Sequence, residues 1–196
     1  MRMFAVTDLL WAGLAAAATA NVLQNAGFEN GLQGWDVFGP EGRFSAVSFP
    51  DGNGCARYEA APSADQQHID QVLALKPNTV YEASVRVRAD GQALRPALRI
   101  SAMDWNTLQY VDTEATGSWQ RLEVLFHSGA IQQIRFQLFG PGRGNDSPEV
   151  DGTVLFDDAV CRPATPARVN AFYSATVTVD PNRRGPAINP LFFGVN

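Results

Sequence analysis

Three carboxylates near the two ends of the chain are the first candidates for chemistry. Glu29 sits in the turn Asn25-Ala-Gly-Phe-Glu-Asn-Gly31, and Asp157 and Asp158 lie in the run Thr153–Cys161. Carboxylates together with backbone carbonyls of a Gly-rich turn supply the hard oxygen ligands that suit Ca2+. The turn Asp51-Gly-Asn53 would add another acid. The same side chains would serve equally as solvated turn caps, and the pattern leaves both readings open.

A second group is aromatic and polar. Trp105 and Tyr110 flank the polar, loop-like stretch Asn106-Thr-Leu-Gln109. Exposed, they would offer flat faces on which the C–H side of a pyranose stacks; covered, they would form a small cluster beneath the loop. Trp35 and Trp119 each open a strand and read as core. Arg86, Arg88, Arg99, Arg135 and Gln137 occupy the polar positions of three strands. If those strands are neighbours, guanidinium forks and an amide line one surface and would grip hydroxyls or a uronate carboxylate. If not, they are ordinary solvated side chains.

Catalytic signatures are missing. The sequence has no Gly-x-Ser-x-Gly elbow, no phosphate loop and no metal-ligating His pair. Cys55, Cys161, His68 and His127 are too scattered for a zinc site. With 20 Asp and Glu in the chain, a pair of glycosidase carboxylates cannot be picked out by type.

The elements that must position these residues are strands. In Thr79–Arg88, Tyr81, Ala83, Val85 and Val87 alternate with Glu82, Ser84, Arg86 and Arg88, the period of a strand buried on one face. Ala97–Met103, Arg121–His127 and Gln133–Phe139 alternate in the same way. Shorter runs at 35–39, 43–49, 55–59 and 66–75 complete the set, with a further short strand expected at the start of Asn21–Trp35. No helical period persists for three turns. Many short strands at about ten-residue spacing, each with one polar face, predict an all-β sandwich or barrel of antiparallel sheets.

The ends read differently. Residues 1–20 carry Arg2, an apolar run from Leu9 to Ala18 too short to span a bilayer, and the small-residue site Ala18-Thr-Ala20. They read as a signal peptide, against the alternative of an N-terminal helix. The expected location is therefore extracellular or periplasmic. Removing the segment takes one Arg and one Asp together, so the net charge stays at −5. That acidic balance argues against a nucleic-acid partner, and nothing else in the chain is apolar for long enough to cross a membrane. The remaining roughly 176 residues suit one domain with some extra chain. In an exported protein Cys55 and Cys161 are expected to pair, which would stabilise by on the order of 4–5 kcal/mol; two buried thiols are the alternative. Arg162-Pro-Ala-Thr-Pro166 opens a linker over 163–174. The apolar run at the end of the chain, with nothing after it to cover it, suggests a truncated sequence.

Asn21-Val-Leu-Gln-Asn-Ala-Gly-Phe-Glu-Asn-Gly-Leu-Gln-Gly-Trp35 resembles the opening of carbohydrate-binding modules of the family 4, 9 and 22 type. Gln71–Tyr81, Trp119–Phe126 and Leu155–Val160 resemble three further landmarks of that family, in order, over residues 21–162. The resemblance implies a β-jelly roll (galactose-binding-domain-like) of two antiparallel sheets. It also implies a structural Ca2+ between the chain ends, with Glu29 and Asp157 as ligands and Asp158 as the alternate. It implies a polysaccharide ligand such as xylan, β-glucan or arabinan, held by aromatic and polar side chains across one sheet. Arginines stand here where the family uses outward aromatics. Residues 177–196 resemble the first strand of the catalytic barrel in α-L-arabinofuranosidases and related glycoside hydrolases. The expected function is thus a non-catalytic module that carries an attached hydrolase to plant cell-wall polysaccharide. The alternatives are a sandwich that only braces such a barrel and a free-standing hydrolase.

Overall fold

A computed structural model describes residues 20–39, 42–49, 53–60, 67–92, 94–140 and 151–173. The signal-peptide expectation, Asp51 and the tail beyond residue 173 lie outside them. Ten strands form two five-stranded sheets. They are β1 (Asp36–Phe38), β2 (Phe44–Ser48), β3 (Gly54–Glu59), β4 (His68–Ala74), β5 (Val80–Gln92), β6 (Ala97–Ala102), β7 (Thr107–Asp112), β8 (Gln120–His127), β9 (Gln133–Phe139) and β10 (Asp151–Pro163). One sheet runs β1-β4-β9-β6-β7 and the other β2-β3-β10-β5-β8, with antiparallel pairing throughout. We call them the first and second sheet. The all-β, two-sheet expectation holds.

Period-two patterning puts one side of each sheet into a shared core. Ile69, Leu98, Ile100, Ile134, Phe136 and Leu138 of the first sheet meet Tyr58, Val85, Val87, Leu122, Val154 and Phe156 of the second. Trp35 is core as expected, stacked on Phe28 at 5.0 Å between ring centroids. Trp119 is only half-buried and carries Arg86 over its ring at 4.9 Å.

Four expectations need correction. The opening stretch forms no strand; it is a series of turns. Asn21 donates to the Ala159 carbonyl at 2.9 Å and accepts the Cys161 N–H at 2.8 Å, while Asn25 gathers the carbonyls of Gly31 and Gln33. Asparagine side chains do here what a ladder would do, which is why an Asn-rich run was legible as structure but not as the right structure. Residues 106–109 read as loop, yet 107–109 belong to edge strand β7, which runs to Asp112. Most of the stretch expected as a linker, 163–174, folds as helix α1 (Pro166–Tyr173). The Thr165 carbonyl accepts the first helical N–H, from Val169, and Pro166 stands where its missing N–H costs nothing.

The fourth correction concerns Cys55 and Cys161, which are free, buried thiols. The β3–β10 register pairs Ala56 with Phe156, which puts Cys55 level with Asp157 on the outer side of the second sheet. An extra residue in β10 between Asp157 and Val160 then shifts the phase, so Cys161, opposite Ala83, faces the core. The two sulfurs lie on opposite faces and at least three strand steps apart, about 10 Å. That is beyond the reach of a bridge.

Candidate functional site

The outer face of the first sheet collects most of the residues singled out for ligand binding. Cross-strand register lines up Asp36, Asp70, Gln137, Arg99 and Tyr110 across β1, β4, β9, β6 and β7. The adjacent row on one side is Phe38, His68, Phe139 and Ala97, and on the other Val72, Arg135 and Ser101. Arg99, Arg135, Gln137 and Tyr110 therefore do share one surface, and Trp105 joins them from the β6–β7 turn.

That turn aims Trp105. Its backbone sits in the left-handed region at φ 69°, which a bulky residue adopts only when its surroundings enforce it. The Trp105 N–H donates to the Ala102 carbonyl at 3.0 Å and the Asn106 carbonyl accepts from Ala102 at 2.9 Å. Arg99 donates to the Trp105 carbonyl, and Asp104 holds Asn106 through both its backbone and side-chain N–H groups. The indole is 45% exposed and Arg135 lies against it, 4.3 Å from guanidinium carbon to ring centroid. Phe38, His68 and Phe139 stack side by side at 4.6 and 4.7 Å, and Trp105 meets the first two edge-on.

Beneath the aromatics the floor is polar and buried. Asp70, Gln137 and Ser101 are all 0% exposed. Arg135 donates to Asp70 Oδ2 at 3.0 Å, and Ser101 donates to Gln137 Oε1 at 2.8 Å. Asp70 Oδ1, Gln137 Nε2 and Arg135 Nε have no partner among the described residues. Each such group costs about 1–3 kcal/mol unless water or a ligand satisfies it. Burial pushes the Asp70 carboxyl above its ordinary pKa, the hydrogen bond and charge of Arg135 pull it back, and Asp36 pushes it up further. Asp70 and His68 were not picked out from the sequence as ligand-binding residues. The signal that would have found Asp70 is its parity: it alternates with the core residues Ile69 and Leu73 and so points outward.

Arg86 does not belong to this surface. It projects from β5 on the second sheet, pairs with Asp158 at 3.0 Å and covers Trp119. Arg88, on the same strand, pairs with Asp90 at 3.0 Å.

The acids singled out as metal ligands are divided by the fold. Gly54 lets the Phe28–Glu29 backbone lie directly on β3: a Cβ there would fall 2.3 Å from the Phe28 carbonyl oxygen. This brings Glu29 close enough to Asp157 to act on it electrostatically. Asp157 titrates above its ordinary value, chiefly through burial. The Asp158 N–H opposes that shift, the Asp158 carboxylate adds to it, Arg86 opposes it and Glu29 adds to it. Asp158, at φ 49° in the β10 bulge, turns to Arg86 instead. Among the described residues no three acidic, His or Cys side chains converge.

Comparison with known proteins agrees with the two-sheet fold. Residues 20–148 match the family model CBM_4_9, described as a carbohydrate binding domain. Exochitinase 1 of Streptomyces olivaceoviridis is 30% identical over 156 residues; the match covers 72% of this chain and 25% of that protein. Among solved structures, TmCBM61 in complex with β-1,4-galactotriose aligns over 74% of this chain and 100% of its own, with TM-score 0.61 and 20% identity. The CBM22-1 xylan-binding domain of Paenibacillus barcinonensis Xyn10C covers 76% of this chain and 97% of its own, at TM-score 0.52 and 18% identity. At those identities the structural likeness speaks for the sandwich fold. The family match covers most of the chain, and the chain belongs to the CBM_4_9 family of carbohydrate-binding domains.

Proposed function

We propose that this non-catalytic sugar-binding module takes a neutral polysaccharide chain on the outer face of its first sheet, with Trp105 as stacking platform. The observation that carries the reading is the buried, partly unpartnered polar floor beneath an exposed tryptophan. Donors (Gln137 Nε2, Arg135 Nε) and an acceptor (Asp70 Oδ1) stand side by side. Hydroxyls, which both donate and accept, match such a set. A uronate fits poorly, because Asp70 already neutralises Arg135 and Arg99 is engaged with the Trp105 carbonyl. The galactotriose, xylan and chitinase associations of the similar proteins make β-1,4-galactan, xylan and chitin the first glycans to try, with β-glucan and arabinan.

The same reading includes export from the cell and attachment to a hydrolase, in which the module raises the enzyme's local concentration on its polymer. It also includes a structural Ca2+ where the N-terminal turn meets β10. Glu29 and Asp157 would hold it, with backbone carbonyls and water completing an oxygen shell. Asp157 is raised first by burial, with the Asp158 and Glu29 carboxylates adding to the shift, and a divalent cation would relieve that crowding. Bound there, the ion would tie the opening turn to the last strand.

Affinity electrophoresis through gels containing each polysaccharide tests the proposal. Trp105→Ala should abolish retardation on the retained glycan, a loss of at least about tenfold in affinity. Arg86→Ala should change nothing. Retention on no glycan, or retention that survives Trp105→Ala, would remove the reading.

A further inference from the structure

Asp70, Arg135 and Trp105 form a stack from the floor of the cleft to its rim. Asp70 is 0% exposed, the Arg135 side chain 18% and Trp105 45%. Arg135 holds Asp70 at 3.0 Å with one nitrogen, and its guanidinium carbon lies over the indole, 4.3 Å from the ring centroid. A guanidinium on an aromatic face is attracted to it, and the attraction grows as water is excluded. Four rotatable bonds place and orient the Arg135 guanidinium, so without an anchor it would not keep that pose.

We propose that Asp70 is the positioning residue of the sugar platform: its ionised carboxylate pins Arg135 beneath Trp105, and the platform loosens when Asp70 is protonated. The proposal rests on the reading that Trp105 binds the glycan, but the stack itself needs no ligand to be observed. The groups facing Asp70 are Asp36 from β1, Arg135 and Gln137 from β9, and His68 beside it on β4; Arg99 lies one strand further, on β6. Burial disfavours the ionised form first, Arg135 favours it through its hydrogen bond and charge, and Asp36 repels it, with the net effect toward the neutral acid.

The balance has a signature that a plain structural brace would not show. Asp70 takes up its proton more readily in the folded state than in the unfolded chain. Its contribution to stability therefore rises as pH falls through the folded-state pKa and is complete below the unfolded value. Acidification should stabilise the fold through this group while it releases Arg135 from the indole. For a structural brace, order and stability would fall together.

The test is NMR of the whole chain from about pH 7.5 to about pH 4. The ring-current-shifted side-chain protons of Arg135 and the Trp105 indole N–H are followed, assigned with Trp105→Phe. In the wild type the Arg135 shift should collapse on acidification. In Asp70→Asn it should be weak at every pH, and the melting temperature of the wild type relative to this variant should rise on acidification. Arg135→Lys, which keeps the charge and loses the flat face, should leave the chain folded but weaken retention on the glycan that the wild type binds by about tenfold. An Arg135 shift that persists at low pH, or is unchanged in Asp70→Asn, would overturn the proposal even if glycan is bound. A shift that behaves as expected in a chain that binds no glycan would support the positioning and remove the ligand reading alone.

Discussion

The two sheets present outer faces built by the same alternation and finished in opposite ways. On the second sheet each exposed arginine meets a nearby acid: Arg57 with Glu59, Arg86 with Asp158, Arg88 with Asp90, Arg121 with Glu123. Arg162 and Arg168 converge on Glu82, and Arg168 also reaches Glu123, which seats α1 against β5 and β8. The arginine charges of this face are neutralised within it, although Ser84 Oγ and Arg88 Nε make no hydrogen bond among the described residues. On the first sheet the charged pair is buried, several polar atoms lack partners, and the covering side chain is an exposed tryptophan. A surface that gathers several unpaired hydrogen-bonding groups beneath an exposed aromatic is suited to receive a ligand; one whose charges are paired at the surface is suited to brace a helix or face water.

Pair removal tests the contrast most severely. Arg135→Ala leaves a fully buried carboxylate without its cation and should cost about 3–5 kcal/mol in urea unfolding. Arg86→Ala breaks an exposed pair and should cost about 0–1 kcal/mol. Similar costs for the two would erase the distinction between the faces.

The contrast also explains what was legible in the sequence. β5 was plain because Tyr81, Ala83, Val85 and Val87 all face the core and every intervening residue is polar. β7 was not, because an edge strand is half-solvated on both sides and Thr107-Leu-Gln-Tyr-Val-Asp shows no clean alternation. Arg99, Arg135 and Gln137 were recognisable as outward polar positions, and so was Arg86. Which of them share a sheet is a matter of strand order, β9 beside β6 and β5 beside β10, and no local pattern encodes that. Asp70 was missed because β4 is buried on both sides along much of its length, His68 to Gln71, so burial there does not follow sequence polarity. The disulfide expectation failed on the β10 bulge, whose single extra residue turns Cys161 to the core.

Asp157 is the exception on the second face: its carboxylate accepts the Asp158 N–H at 2.6 Å, no ion pair meets it among the described residues, and burial, Asp158 and Glu29 all disfavour its charge. If Ca2+ fills that gap, the ion at about a hundredfold excess over its Kd should add about 2.7 kcal/mol. EDTA should then lower the melting temperature of the wild type and leave Asp157→Asn and Glu29→Gln unaffected. Because Asp157 binds its proton above the ordinary carboxylate range, the metal-dependent increment should fade as pH is lowered through that raised value. An EDTA response that survives both substitutions would place the ion elsewhere and return Asp157 to a role as a half-buried turn acid.

The smallest effect is expected at the cysteines. Cys161 sits in the core with its thiol pushed up to about 12 by burial, and Cys55 is raised as well, first by burial and then by Asp157. At neutral pH both are protonated and covered, so neither is a ready nucleophile. Dithiothreitol should therefore leave the melting temperature unchanged, whereas a bridge between strands so far apart in sequence would give up about 4–5 kcal/mol on reduction. Titration with a thiol reagent should find both sulfurs only after the chain is unfolded. A drop in melting temperature with reductant would overturn the β3–β10 register, which keeps the two sulfurs several strand steps apart.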